Sequence, residues 1–563
     1  MSRATGAPRP SGNNRARTDE AIFLSMTITT KLNRRQANAA LLAATLGLTL
    51  TGTGSASAAT PKDTLVVAMA FDDIISLDPA EAFEISAGEM LGNLYDRLLR
   101  LDPKDPSKLQ PDVAKNWSVG ADGKTYTFEL KPGLKFASGN PITADDVAWS
   151  LQRAVLLNKT PAFILNQLGL TKDKVTERVK ASGPLTLVLQ TDRPLAPTLV
   201  LNCLSANVAA VLDKKLLLSK ETGGDMGLAW LKTHYAGSGP YKLRDWRANE
   251  ILAMERNEQS ATKAPLARVI YRHVKEPATQ RLLLEKGDID VARNLGPQDL
   301  DALAANKDIR TTSTAQGTVF YLSMNMQHPA FAKPEVREAM KYLVDYAGLG
   351  GTLVRHIGRM HQNFMPVGLL GASTEQPFKL DVDKAKALLA KAGYPNGFKA
   401  TLDMRSVQPV LGIAESFQQT ARRAGVQIEI IPGDGKQTLT KYRARKHDMF
   451  IGQWGTDYWD PHSNADTFAR NPDNGDEASA KTLAWRNSWD IPELTKKADA
   501  AMLERDAKKR TAMYQEIQAE FRKASPFIML YQQTDVAAHR ANVEGLLLGP
   551  TADTSYLFTV SKR

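Results

Sequence analysis

The sequence predicts a mixed α/β fold with more than one sheet, on two observations. Strand-like and helix-like hydrophobic patterns alternate from end to end, with no internal repeat and no low-complexity tract. The 563 residues suit two to four domains with large cores, and a chain that is 43% hydrophobic and 24% charged is ordinary for a globular protein.

The elements follow in order. Leu65-Val66-Val67-Ala68-Met69 reads as a buried first strand, ending at Phe71-Asp72-Asp73 and Ser76-Leu77-Asp78-Pro79. A helical pattern runs through Met90, Leu91 and Leu94 to Leu98. Ala121-Asp122-Gly123-Lys124 is a turn, and Tyr126-Thr127-Phe128-Glu129-Leu130 alternates as a half-buried strand does. Thr143 with Asp146 three places on makes a capping box for a helix that puts Val147, Ala148, Leu151, Ala154 and Val155 on one face. Pro334 marks the start of a helix carrying Val336, Ala339, Met340, Leu343 and Val344. Asp383 is expected to cap a helix with Ala385, Leu388, Leu389 and Ala392, stopped by Gly393. Residues 492–523 read as two helices before the apolar strand Phe527–Tyr531.

The N-terminal region stands apart. From Met26 a basic stretch (Lys31, Arg34, Arg35) leads into an apolar run from Ala39 to Leu50, then Ala56-Ser57-Ala58. This is the pattern of a secretory signal peptide over 26–58, too short and too rich in Thr and Gly for a membrane span. Residues 1–25 read as an upstream extension, and the mature chain is expected to begin near Ala59. Arg34-Arg35 raises twin-arginine export, but Ala37 stands where that pattern wants a large apolar residue, so Sec export ranks ahead. No cysteine follows the cleavage site to carry a lipid anchor, and a soluble periplasmic protein is expected.

Residues 1–58 carry seven Lys/Arg and two Asp/Glu, so five of the eleven net positive charges leave with them. The remaining charge is spread without long basic runs, which argues against a nucleic-acid partner. The single cysteine, Cys203, lies in the apolar run Leu199, Val200, Leu201, Leu204, where a buried, inert thiol is expected.

The most informative stretch for function is His447-Asp448-Met449-Phe450-Ile451-Gly452-Gln453-Trp454-Gly455-Thr456-Asp457-Tyr458-Trp459-Asp460-Pro461. An apolar strand enters a loop with two tryptophans, a tyrosine and two carboxylates. Aromatic faces grip planar groups and side chains, and a carboxylate among them can hold an ammonium. The same composition also serves packing and Asx-turns. No phosphate loop, G-x-S-x-G elbow, H-E-x-x-H or C-x-x-C is present, and the eight histidines are scattered. No catalytic constellation, metal or cofactor is expected.

Several blocks resemble, in order, the extracytoplasmic solute-binding proteins of ABC importers, family 5, the dipeptide-, oligopeptide- and nickel-binding type. They are Ser76-Leu77-Asp78-Pro79-Ala80, Asn93-Leu94-Tyr95-Asp96-Arg97-Leu98, residues 111–149, Gly237-Ser238-Gly239-Pro240-Tyr241, Gly287-Asp288-Ile289-Asp290, Val336-Arg337-Glu338-Ala339, Asp383 through Gly393-Tyr394-Pro395, and the 447–461 stretch itself. The resemblance implies a two-lobed clamp of the type II periplasmic-binding-protein kind. Lobe I would be 59–311 plus 536–563, including the extra subdomain of the peptide-binding group at about 100–232; lobe II would be 312–535. It also implies a monomer that is not an enzyme, closing on its ligand and passing it to an inner-membrane ABC permease with its ATPases.

The resemblance implies a site as well. Asp457 would hold a ligand α-ammonium, with Trp454 and Tyr458 as pocket walls, while Asp460-Pro461 ends the loop. Arg405 is the candidate clamp for a ligand carboxylate. Phe71 and Asp72 from lobe I, and Tyr321 beside Phe320 from lobe II, are expected at the cleft. Peptides or related amino compounds such as opines are the expected ligands. Two other readings stand beside this one: a carrier of a metal chelate or haem using His356, His361, His447 or His462, and a periplasmic hydrolase.

Overall fold

The computed structural model of the protein describes residues 60–478 and 480–563. The expected upstream extension, signal peptide and cleavage site lie outside the described residues.

One large sheet forms the frame. Its strands lie in the order Gln427–Gly433, Lys399–Arg405, Met449–Trp454, Ile309–Met324, Phe527–Arg540, Val291–Ala292, Thr64–Met69, Arg268–His273, Ile251–Arg256 and Tyr241–Arg247, with Gly358–Met360 also paired to Phe527–Arg540. At one end Lys399–Arg405 runs parallel to both its neighbours, and at the other Thr64–Met69 does the same. Buried on both faces, such strands read as continuous apolar runs, as Thr64–Met69 does. The two ends are joined by the longest strands of the chain, Ile309–Met324 and Phe527–Arg540, which pair antiparallel from Ile309 opposite Arg540 to Ser323 opposite Phe527.

That long ladder is interrupted once over several residues. Register holds from Ile309 to Ala315, breaks, and resumes with Val319 opposite Gln532. Gln316, Gly317 and Thr318 are therefore released from the ladder in mid-strand, a device that re-aims backbone and side chains where a sheet meets a site.

A second, four-stranded antiparallel sheet has the order Ala114–Val119, Thr125–Leu130, Thr186–Gln190, Val179–Gly183. The helix Ala144–Leu157 packs on it, opened by the expected capping box of Thr143 and Asp146. This part has its own core, including Tyr126, Phe128, Leu151, Leu187 and Cys203. The Cys203 thiol is fully buried, and burial pushes its pKa up, as an inert core cysteine requires.

Two elements differ from their sequence pattern. The helix expected to reach Leu98 ends at Leu94, because Tyr95 turns extended to meet the backbone around Gly237 and Gly239, where a Cβ would fall within 2.9 Å of Leu94 and Tyr95 atoms. Leu98 is buried all the same, outside the helix. The helix Val382–Lys391 is capped by Asp381, which accepts from the Lys384 N–H at 2.9 Å; Asp383 lies inside the first turn.

Several charged residues inside the blocks named above are fixed in place by opposite charges. Asp78 accepts two hydrogen bonds from Arg153, at 2.9 and 2.6 Å, with both side chains fully buried. Arg97 pairs with Asp553 at 2.6 Å, tying the helix end to the C-terminal segment. Asp290 accepts from the Val66 N–H and pairs with Lys562. Pairs this deep cost desolvation, which close geometry and several hydrogen bonds offset.

Candidate functional site

The strand Met449–Trp454 pairs with Ile309–Met324 and ends with Trp454 opposite Val319, where the long ladder breaks. The chain then turns against the released segment. The Thr456 N–H and hydroxyl both donate to the Gly317 carbonyl, at 3.1 and 2.9 Å, and the hydroxyl also reaches Asn464 Oδ1 at 2.9 Å. Gly317 is required by this close approach: a Cβ there would lie 2.7 Å from Thr456 Oγ1 and 2.9 Å from the Trp459 ring.

The loop closes on Asp460, the N-cap of the helix Pro461–Ala469. Its carboxylate accepts from the His462 N–H at 2.9 Å and from both terminal nitrogens of Arg510 at 2.7 Å, all buried. The guanidinium and these hydrogen bonds outweigh burial and hold the Asp460 carboxyl below the usual range.

Asp457 has the opposite surroundings. Its N–H donates to Ser463 Oγ at 3.0 Å, and its Oδ2 accepts a long 3.5 Å hydrogen bond from the same hydroxyl. Among the described residues no Lys, Arg or His pairs with it. Burial, and after it the charge of Asp466, raise its pKa to about 8 against the weak opposing bond from Ser463. Such a carboxylate is costly to ionise and stabilised by any cation brought to it.

Asp457 and Trp454 line a cavity of about 260 Å³. Its walls come from the N-terminal part of the helix Ile85–Leu94 with Phe83 and Glu84 before it, from Pro161, Ile164 and Asn207, from the released Gln316-Gly317-Thr318, from 453–457, and from Pro550–Asp553. Segments far apart in sequence thus meet there, the usual setting of a ligand pocket.

Of the seven predicted site residues, the structure brings Trp454 and Asp457 to this cavity and leaves the other five elsewhere. Tyr458 is buried in the core of the second sheet, its hydroxyl donating to Gln167 Oε1 at 3.0 Å. Tyr321 is core, edge-on to Phe468 and Phe527. Phe71 is buried edge-on to His273, and Asp72 beside it is exposed. Arg405 is exposed at the end of its strand. The main wall residues not foreseen are Phe83, Glu84, Asn207, Gln316–Thr318 and Pro550–Asp553. Only Gly317 left a signal, a glycine inside a strand pattern.

None of the four histidines considered for a chelate lines the cavity. His361 and His447 are buried, their Nε2–H groups donate to Met365 O and Asn487 Oδ1, and burial lowers the pKa of both to about 4. His356 faces Asp301, and His462 is buried against Tyr514. Among the described residues no group of three or more His, Cys, Asp or Glu is placed to hold a metal ion, and no helix is long and apolar enough to cross a membrane.

A two-lobed α/β clamp with a cavity between distant segments defines a class of ligand-binding protein, and comparison with known proteins gives the family. Residues 108–476 match the model of the bacterial extracellular solute-binding proteins, family 5, and the chain belongs to that family. It is a family of binding proteins rather than enzymes. The chain is 26% identical over 526 residues to the probable D,D-dipeptide-binding periplasmic protein DdpA of Escherichia coli, covering 90% of this chain and 96% of that one. It is also 26% identical over 506 residues to the glutathione-binding protein GsiB of Salmonella typhimurium, covering 88% and 93%. Among solved structures, the ABC transporter-associated periplasmic binding protein DppA of Helicobacter pylori, in complex with the peptide STSA, superposes with a TM-score of 0.76 at 24% identity, covering 89% of this chain and 98% of that one. A dipeptide-binding protein of Pseudoalteromonas in complex with Met-Leu gives 0.75 at 20%, covering 89% and 100%. The fold is therefore the mixed α/β clamp of the dipeptide- and oligopeptide-binding group.

Proposed function

We propose that the protein is the periplasmic solute-binding component of an ABC importer, capturing a peptide or related amino compound by its ammonium group in the 260 Å³ cavity and delivering it to an inner-membrane permease. The observation that carries this reading is Asp457, a carboxylate in the cavity wall with no cationic partner among the described residues and a pKa raised to about 8. A ligand ammonium supplies the missing cation, and Trp454 supplies an aromatic face beside it.

In this reading residues 59–311 with 536–563 form one lobe and 312–535 the other. Among the pairs that join them are Gly317 N–H to Pro550 O at 2.8 Å, Tyr458 to Gln167 at 3.0 Å, Arg510 to Thr198 at 2.9 Å and Arg293 to Asp535 at 2.6 Å. They belong to a closed state that a ligand touching both walls favours over an open one. Export by the N-terminal signal and action as a monomer are part of the same proposal. Calorimetric titration with free and N-acetylated forms of the same peptides tests it. Acetylation is expected to weaken binding at least tenfold, about 1.4 kcal/mol; equal affinity for the two forms sinks the reading.

A further inference from the structure

Both acids without a cationic partner in the cavity wall, Glu84 and Asp457, face a lining that holds no Lys, Arg or His among the described residues. The third acid there, Asp553, is already neutralised by Arg97 at 2.6 Å. A free peptide brings a carboxylate as well as an ammonium, and the wall offers that carboxylate no cation among the described residues, only neutral donors such as the Trp454 indole N–H and the Gln453 amide. The side-chain amides of Asn207 and Gln316 are committed to the Gly88 carbonyl and to Asp535. One feature of the wall does suit an anion, the N-terminal end of the helix Ile85–Leu94, which receives no side-chain cap hydrogen bond from Glu84. Glu84 stands on that end. Its Oε2 accepts from the Phe83 N–H at 3.1 Å and caps no helix N–H, so its negative charge stands in the wall beside the one end that would favour a ligand anion. Burial, and then the charges of Asp73 and Glu81, raise the Glu84 pKa. Beside it, Phe83 and Ile85 are 39% and 51% exposed and Phe163 is edge-on to Phe83, an apolar rim rather than a charged clamp.

We propose that Glu84 is a specificity residue that excludes ligand carboxylates, so that the cavity selects amino compounds whose far end is neutral or cationic, such as peptides blocked at the carboxyl end and diamines. This rests on the reading that Asp457 holds the ligand ammonium. The test is calorimetric titration of the mature protein with a set of dipeptides of varied side chains, each prepared as free acid, carboxyl amide and N-acetyl amide. The amides are expected to bind at least tenfold more tightly than the free acids, and that ratio is expected to fall to threefold or less in Glu84→Ala, with circular dichroism showing the variant folded. Should Glu84→Ala fail to fold, Glu84→Gln, which keeps an acceptor for the Phe83 N–H, is expected to lower the ratio in the same direction. Free acids that bind as well as the amides overturn the proposal and leave the ammonium reading standing. A ratio unchanged in a folded variant overturns the role of Glu84. N-acetyl amides that bind as well as the amides, or a set in which nothing binds, overturn the ammonium reading and this inference with it.

Discussion

Asp457 and Asp460 stand three residues apart in one loop, the first half-buried and the second buried, and they solve the same electrostatic problem in opposite ways. Asp460 has its counter-charge built in: Arg510 grips both oxygens at 2.7 Å, the helix Pro461–Ala469 offers its N-terminus, and the pKa falls. Asp457 has one long hydrogen bond from Ser463 and a like charge at Asp466, and its pKa rises to about 8. A carboxylate that the fold has already neutralised holds the fold. A carboxylate left uncompensated at a cavity wall leaves its electrostatic need to be met by whatever enters the cavity.

The comparison is broken most severely by removing the built-in cation. Arg510→Met leaves Asp460 buried and unpaired, and is expected to destabilise the protein by about 3–5 kcal/mol, read from the midpoint of a urea unfolding curve. A shift under 1 kcal/mol would mean that Asp460 finds another partner and that the contrast between the two aspartates is not one of charge.

Next in size is the loss of the carboxylate proposed to meet the ligand. Asp457→Asn keeps the shape of the site and removes its charge. Binding of any ammonium ligand is expected to weaken at least tenfold, about 1.4 kcal/mol. Calorimetric titration of wild type and variant with the same ligand measures it, and equal affinity would remove Asp457 from the site.

The family blocks were readable in the sequence chiefly because they build the frame. Asp78 is held by Arg153, Arg97 by Asp553 and Asp290 by Lys562, while Gly237 and Gly239 admit the backbone of Leu94 and Tyr95. Local patterns gave the capping box at Thr143 and the strand at Met449 because each depends on a few neighbouring residues. The cavity wall depends on long-range register. Gln316–Thr318 face it only because the ladder between Ile309–Met324 and Phe527–Arg540 slips there, and Asp553 is 469 positions along the chain from Glu84. Tyr458 was expected beside Asp457 and instead reaches Gln167, 291 residues away, a partner that no local pattern announces.

The contrast also has a pH signature. With the free-site pKa of Asp457 near 8, the ionised form that an ammonium prefers is a minority at pH 6, so binding must release a proton. Affinity for an alkyl ammonium, which stays charged past pH 10, is expected to rise by up to about tenfold per unit from pH 6 towards 8 and then level off. A peptide α-ammonium, with a pKa near 8, is expected to lose affinity again above pH 8. Titrations in two buffers of different ionisation enthalpy check the proton count at pH 7. A pH-independent affinity across 6–8 would place the ligand's charge elsewhere.

The smallest effect separates function from stability at the same residue. The folded-state pKa of Asp457 is raised above its unfolded value near 3.9, so between pH 4 and pH 8 the folded protein binds more proton than the unfolded chain. Stability from this group is therefore fully present below pH 4 and is lost as pH rises through 8. Asn at 457 carries no such loss. The ligand-free Asp457→Asn variant is expected to match wild type at pH 5 and to exceed it at pH 8 by about 1 kcal/mol, after discounting for contact with cavity water, which is roughly one to two degrees in Tm for a chain of this size. Asp460→Asn is expected to do the reverse at pH 8, losing stability because it weakens the pair with Arg510. Thermal melts of both variants at the two pH values read the sign directly. Stabilisation by one substitution and destabilisation by the other, three residues apart, would separate a carboxylate kept for a ligand from one kept for the fold.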